Sequence, residues 1–392
     1  MIGPMQPHTR KQALEALLLA HVELWRPQPF KDPQPAWCEI YPALAAEALA
    51  TPESELVDRA ADGVGLIRWV ARHVPGVDEL LPLVELPPSP VQTVPPLSAH
   101  LATHVPGRKR AQVAAFAAAL GRPRAELLEW CAGLGHLGRH LAAGWALPVT
   151  SLEIDPALCA RGEALGAAYG QRFIQTDVLA DTSAAWLRAR HVVALHACGE
   201  LHRRLVLAAA AVGCPALDLA PCCYHRTPQP TYRPLSGGTL RLDADALRLA
   251  VTDTVTAGAA ERRRSFTAMA RKLAFQSLAR AVSGRPYHPL KPVPTRWLAL
   301  DFEAWCRRLA AREGLRLPTS IDWQALRREG ERLALRVRRL ELVRLAFRRA
   351  LEVWLASDLA AHLAQSGYRV RLQTFCPATV TPRNLLISAR RD

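Results

Sequence analysis

Apolar residues recur at helical spacing from residue 11 to residue 73: Leu14, Leu17, Leu18, Val22 and Trp25, then Leu44, Ala48 and Leu49, then Val57, Leu66 and Val70. Pro27, Pro29 and Phe30 end the first run after Trp25. The pattern predicts a small N-terminal helical domain over residues 1–83 with its tryptophans in the core. Five prolines between Pro87 and Pro96 then predict a linker or strap over residues 84–104. From residue 105 the period changes. An amphipathic helix follows Gly107, and short apolar runs of strand length come after it at Leu127–Leu128, Val149–Leu152, Phe173–Gln175, Val192–Leu195 and Ala216–Ala220. Strands alternating with helical segments predict an α/β core over residues 105–225, with a mostly parallel, doubly wound sheet. Residues 226–367 interrupt it at a length far beyond one crossover helix. Within them Leu326, Leu333, Val337, Leu340, Val343, Phe347, Leu351, Trp354, Leu359 and Leu363 predict one long amphipathic helix ending at Gly367. Tyr368–Phe375 and Asn384–Ala389 complete the sheet as a closing hairpin over residues 368–392.

Composition narrows the class. Half of the 392 residues are apolar, enough for two or three cored domains of a soluble protein. The longest apolar run, Leu205–Leu217, contains Gly213 and Pro215 and is too short to span a bilayer, so no membrane partner is expected. Glu15, His21 and Glu23 interrupt any signal segment, and a cytoplasmic location is expected. Nine cysteines, an odd number lying partly in the strands, are expected to be reduced thiols. The net charge of +15 is uneven: residues 1–225 carry −2 and residues 226–392 carry +17. A coding preference for Arg would raise it everywhere, yet only the C-terminal part is basic. Arg262, Arg263, Arg264, Arg271 and Lys272, with Arg327, Arg328, Arg338, Arg339, Arg348 and Arg349 on the polar face of the long helix, predict a surface that meets a polyanion.

The chemistry concentrates in residues 125–158. A strand ends at Glu129, Gly133, Gly135 and Gly138 allow a tight turn into a helix, and the next strand ends in a second acid, Glu153. In doubly wound folds an acid at that point binds a ribose diol. A dinucleotide turn would place its first glycine directly after the strand and a pyrophosphate at the helix N-terminus. An acid there repels pyrophosphate and suits a cationic amino acid. Arg108, Lys109 and Arg110 stand at a helix start, where the macrodipole disfavours cations. They face either a carboxylate or phosphate, or solvent. Asp155 and Pro156 form an N-cap and first-turn pair, and Asp177 follows the third strand.

The acid, the glycine turn and the second acid resemble E/D-x-G-x-G-x-G of the class I S-adenosylmethionine methyltransferases, with Cys131 where that family has its first glycine. The resemblance implies a Rossmann-like class I methyltransferase sheet, here with an N-terminal helical domain and a long helical insertion between strands 5 and 6. It implies S-adenosylmethionine as cofactor, contacted by Glu129, Cys131, Ala132, Gly133, Gly135, Glu153, Ile154, Asp177, Val178 and His196. Glu153 would accept two hydrogen bonds from the ribose diol, Asp177 one from the adenine amino group, and His196 would lie near the methionine end.

Two strand-end motifs sharpen this: His196-Ala197-Cys198-Gly199, and Pro221-Cys222-Cys223-Tyr224-His225. Together they resemble the H-x-C-G and C-C-H-H motifs of eukaryotic acceptor-stem tRNA 2′-O-methyltransferases, with Tyr224 in place of one His. They are closer still to the methyltransferase-like proteins once labelled ribosomal RNA adenine dimethylase domain-containing. That likeness covers about residues 105–390 and includes the closing P-R-N at Pro382, Arg383 and Asn384. With the basic insertion it implies an RNA acceptor, tRNA or rRNA. A protein or small-molecule acceptor, or a non-catalytic fold that binds RNA or a partner, stays open. Cys198, Cys222, Cys223, Tyr224 and His225 are the candidate catalytic residues, with His225 as base and Tyr224 as a stacking or hydrogen-bonding partner. Cys and His also suit zinc. No spaced C-x-x-C exists, however, and the adjacent Cys222 and Cys223 would point opposite ways if the strand ran through both, so no metal is expected.

Overall fold

The structure, a computed structural model, describes residues 5–92, 105–123, 125–252, 258–284, 287 and 290–391. Seven strands, β1 (Glu126–Trp130), β2 (Val149–Glu153), β3 (Gln171–Gln175), β4 (Arg190–Cys198), β5 (Ala216–Cys222), β6 (Arg369–Thr374) and β7 (Leu385–Arg390), form one sheet in the order β3-β2-β1-β4-β5-β7-β6. The first five are parallel, and β7 runs antiparallel to both of its neighbours. Leu127, Leu128, Val149, Leu152, Val192, Val193, Leu217 and Leu219 are buried. Such near-continuous apolar strands are what a parallel sheet covered on both faces requires. The chain reverses its winding between β1 and β4, and in such sheets ligands bind outside the carboxyl ends of the strands at that point.

Near the opposite end of β5 the carboxyl of Asp218 is fully buried in the sheet. Asp218 Oδ2 lies 2.6 Å from His191 Nε2 on β4 and accepts from Arg390 on β7 at 2.8 Å. Burial alone would raise this carboxyl. The His191 hydrogen bond and the Arg390 charge outweigh that effect and hold it below the ordinary carboxylate range.

The described part of the proline-rich segment is a strap. The Ser89 amide donates to Thr374 O at 2.8 Å, and the Thr374 amide donates to Pro87 O at 3.0 Å, which covers the edge strand β6. The rest of the expected linker, residues 93–104, lies outside the described residues.

Two expectations need correction. Contacts divide the chain into Met1–Ala20, Glu79–Thr252 and Arg348–Asp392 as one compact unit, and His21–Asp78 with Asp253–Phe347 as the other. Residues 1–83 are therefore not a domain of their own. Helix Pro7–Ala20 packs in the sheet unit against helix Arg348–Gln365, with Leu14 and Leu18 buried and Glu15 accepting from the Leu240 amide at 3.1 Å. Trp25, Trp37, Leu44 and Ala48 are buried in the second unit. An amphipathic period defines which face of a helix is buried and is silent on what covers it.

The long helix likewise breaks into Trp323–Leu345 and Arg348–Gln365. At the break the Phe347 amide bonds Arg344 O at 3.0 Å, a 3₁₀-type turn. Ala346 and Phe347 are both buried, so the apolar period runs through the break unaltered. Arg348–Gln365 belongs to the sheet unit as the segment leading into β6. Its buried Asp358 accepts from Tyr232 Oη at 2.6 Å, the Leu235 and Ser236 amides at 2.8 and 2.9 Å, and Ser236 Oγ at 2.7 Å.

Helices Ala259–Ser283, Phe302–Glu313 and Trp323–Leu345 build the second unit with the short helices of residues 21–78. Ala270 and Leu273 pack with Ala334 and Val337, while Phe275, Trp297, Trp305 and Leu309 make a further cluster. At Gly330 a Cβ would collide with the Ala270 carbonyl oxygen, so this glycine sets how closely two of the long helices approach. Among the described residues no helix is long and apolar enough to cross a membrane.

Asp155 caps helix Pro156–Gly166 by accepting from the Ala157 and Leu158 amides at 2.8 and 3.2 Å. Asp155→Ala should cost about 1 kcal/mol of stability. Urea unfolding checks this, and an unchanged midpoint would remove the cap from the account.

Candidate active site

The turn after β1 forms despite Cys131. This residue has φ 57°, the left-handed region that costs a side chain roughly 1 kcal/mol, which is why glycine suits the position. Burial pushes the Cys131 thiol well up, as do the charges of Glu153, the Cys198 group and Asp177, so it is a neutral thiol. Its surroundings show that the β1, β2, β3 and β4 ends meet around one point.

The glycines divide by role. Gly133, at φ 58°, has open space where a Cβ would stand. At Gly135 a Cβ would strike the Gln171 and Phe173 side chains, and at Gly138 those of Gln171 and Glu129. The missing Cβ of Gly135 lets helix His136–Trp145 settle on β3.

Glu129 also departs from expectation. Its carboxylate is 4% exposed and lies beneath the turn, where it accepts from Ser151 Oγ at 2.7 Å and Gln171 Nε2 at 3.3 Å. Desolvation raises its pKa to about 7, opposed by the Ser151 and Gly138 hydrogen bonds and by Lys109 and Arg139. The group shapes the turn from below. Ser151 and Gln171 were missed in the sequence, where polar residues inside strand runs carry no mark of their partner.

Glu153 is the last residue of β2. Its Oε2 accepts from the Gly133 amide at 2.7 Å and its Oε1 from the Ile154 and Asp155 amides at 2.9 and 3.1 Å. A carboxylate has about four lone-pair sites. Three amides therefore fix the group and leave capacity for one further donor, where two had been expected. Ile154 beside it is 58% exposed. After β3, Asp177 is exposed and accepts from the Leu179 amide at 2.9 Å, while Val178 is buried and Leu179 is 45% exposed. Ile154 and Leu179 are the large apolar side chains left open at this edge, a natural cover for a flat ring. Leu179 had not been singled out.

The motifs on β4 and β5 clasp one another. A β-bulge at His196 shifts the register so that Cys198 pairs with Cys222. His196 takes φ 63° and Gly199 φ 55°. The Gly199 amide donates to Cys222 O at 3.0 Å, the Glu200 amide to Arg226 O at 2.9 Å, and a Cβ on Gly199 would collide with that Arg226 carbonyl. The glycine of the first motif is what lets the second lie against it.

β5 ends at Cys222, and Cys223 turns back at φ 44°. The strand does not run through both residues, so adjacent Cys222 and Cys223 do not point opposite ways. Cys198, Cys222 and Cys223 bring their sulfurs within 4.8 Å of one another, with Cys198 Sγ 3.2 Å from Cys222 Sγ. Hydrogen bonds from Cys198 and Cys222 hold the Cys223 thiol below the usual range, and the same contacts push Cys222 up.

Tyr224 is 2% exposed, packs edge-on against His202 with ring centroids 4.9 Å apart, and has no hydrogen-bond partner for its hydroxyl among the described residues. It is no exposed stacking platform. Burial lowers His202 and His196 to about 4, so both are neutral, and His202 Nδ1 lies 3.0 Å from Ala197 O. His196 Nδ1 and His225 Nδ1 are buried without partners among the described residues. Lys109, exposed at the start of helix Gly107–Ala119, acts electrostatically on Glu129, His136 and His196. Arg383 does so on His196 and Tyr224 and sits 3.9 Å from Glu352. The sequence marked Arg383 only through the P-R-N likeness, and His202 not at all.

A doubly wound sheet with an antiparallel seventh strand, a glycine turn after β1 and an amide-held acid after β2 is a Rossmann-like methyltransferase fold of class I. Residues 108–229 match the model of a family described as a methyltransferase domain, a span that runs from the basic helix start past both clasped motifs. No curated protein and no solved structure matches the chain.

Proposed function

We propose that the protein is an S-adenosylmethionine-dependent methyltransferase that acts on RNA, tRNA or rRNA by class. The cradle at the β2 and β3 ends carries this reading: one acid is held by three amides, and exposed Ile154 and Leu179 stand beside it with Asp177. Glu153 would hold the ribose, Ile154 and Leu179 would cover the adenine, and Asp177 would accept from its amino group. The orphaned polar atoms of His196, Tyr224 and His225 are the donors and acceptors left for the methionine end and the acceptor. Lys109 would pair with the cofactor carboxylate. S-adenosylmethionine supplies an electrophilic methyl on a cationic sulfur. His225 would take the acceptor's proton as the new bond to carbon forms, and neutral His196 would orient from the opposite motif.

The RNA assignment rests on the uneven charge and on the likeness of the two motifs to RNA enzymes. Cys131 in a glycine position favours the rival reading, a non-catalytic binder. It loses weight because the turn forms around it.

Glu153→Ala should weaken S-adenosylmethionine binding by about tenfold to a hundredfold, as loss of a charge-assisted hydrogen bond does. Equal affinities by calorimetry would remove the cradle assignment. Wild type should release S-adenosylhomocysteine and label the RNA fraction when given labelled cofactor and total RNA. Label confined to protein or to small molecules would overturn the acceptor class.

A further inference from the structure

Three thiols converge where the two motifs clasp, and each arrives by an unusual backbone feature. The bulge at His196 sets Cys198 opposite Cys222 on the neighbouring strand. The left-handed turn at Cys223 brings the third sulfur back, although a side chain at φ 44° carries strain of order 1 kcal/mol. Strain of this kind persists where surrounding structure requires a particular side-chain placement. The protein contacts of these sulfurs are weak. Cys198 and Cys222 lie 3.4 and 3.2 Å from the carbonyl oxygen of His196, and no carboxylate among the described residues joins the group.

We propose that Cys198, Cys222 and Cys223 form a three-thiolate site for a thiophilic divalent cation, zinc by class. A zinc–sulfur bond is about 2.3 Å, so tetrahedral geometry places sulfurs about 3.8 Å apart. The three sulfurs lie within 4.8 Å of one another, and the closest pair at 3.2 Å need separate only slightly. Thiolates without oxygen donors select zinc over magnesium or calcium, which require oxygen. Each thiol gives its proton to solvent as its bond to the metal forms. Cys222 is buried, whereas Cys198 and Cys223 are partly exposed, so the fourth coordination position faces outward at the sheet's carboxyl edge. An open position suits binding and polarising a ligand from solution, in contrast to the closed four-ligand sites that only stabilise folds. The site stands on the sulfur geometry and does not depend on the acceptor proposed above.

The test uses the full chain, reduced, stripped with chelator and then offered zinc alone or cobalt alone. One equivalent of zinc should be retained, and cobalt should give the sulfur-to-metal charge-transfer absorption of several thiolates. Cys198 and Cys223, the partly exposed thiols of the three, should be shielded from a thiol reagent only when metal is present. Cys222→Ser and Cys198→Ser should each weaken zinc binding by more than about a hundredfold, the upper end of what loss of an outer-shell partner costs. Cys38→Ser, in the other unit, should bind as wild type does. If a serine variant fails to fold by circular dichroism, metal-dependent thiol shielding in wild type decides alone. The proposal is overturned by substoichiometric zinc, by a cobalt spectrum without thiolate charge transfer, or by zinc loss equally severe in Cys38→Ser. It is also overturned if the purified chain holds a Cys198–Cys222 disulfide and, once reduced, binds no zinc. Retained zinc with lost cofactor affinity in Glu153→Ala would uphold this site while separating it from the cradle.

Discussion

Replacing Glu129 with Gln should make the protein about 3 kcal/mol more stable than wild type above pH 7 and leave the two alike below about pH 4.5. The direction follows from burial. Folding raises this carboxyl from 4.5 to about 7, desolvation being the largest cause, so the folded chain binds the proton more tightly than the unfolded chain. The stabilising contribution of the protonated form is complete below the unfolded value. It declines as pH rises from about 4.5 and is lost once pH passes about 7. The span of roughly 2.5 pH units corresponds to about 3 kcal/mol, more than a hundredfold in the folding equilibrium. Gln keeps an acceptor for the Ser151 hydroxyl and the Gly138 amide and carries no charge to desolvate. Urea midpoints measured between pH 4.5 and 8 should converge at the acid end and separate toward neutrality. Parallel curves for the two proteins would show that Glu129 is not the buried titrating group.

This outcome also separates Glu129 from Glu153, two acids the sequence presents as equals. Both end a strand of the same sheet, and the spacing of 24 residues between them announces the motif. What each carboxylate faces depends on residues that no local pattern marks. Ser151 and Gln171 turn Glu129 inward, while the Gly133, Ile154 and Asp155 amides hold Glu153 at the edge. The strands themselves were legible because apolar runs bounded by glycine and acids give strand length directly. β4 was read only to Leu195, since a bulge at His196 leaves no trace in hydrophobicity and carries the strand on to Cys198. The left-handed turn at Cys223 was invisible for a related reason: cysteine carries no preference for it. Helix partners were equally hidden. Leu14 and Leu18 report a buried stripe, and only the fold shows that helix Arg348–Gln365 covers it.

The basic residues show the same separation, and it decides which of them to change. Sequence places Arg338, Arg339, Arg348 and Arg349 together with the other cations. In the structure the Arg339 Nε donates to Thr51 O at 2.9 Å, and Arg338 lies over the Phe266 ring at 5.7 Å. Arg348 donates to Thr252 O at 3.1 Å, and Arg349 pairs with Glu352 at 2.6 Å. These four hold the protein together, and truncating them would confuse folding with binding. Arg263 and Arg264 on helix Ala259–Ser283, and Arg327 and Arg328 on helix Trp323–Leu345, are exposed. If they meet the phosphates of the proposed RNA, removing each Arg–phosphate pair should reduce the slope of log affinity against log salt by about 0.7 to 0.9. The fourfold Ala variant should therefore lose about 3 from that slope. At about 1 kcal/mol per pair, it should bind RNA roughly a hundredfold to a thousandfold more weakly at physiological salt. Affinity for S-adenosylmethionine should not change, because none of the four belongs to the cradle. Filter binding across a salt series measures both the slope and the affinity for RNA. An undiminished slope with full affinity would move the RNA surface away from these helices, and a wild type that binds no RNA at physiological salt would end the RNA reading.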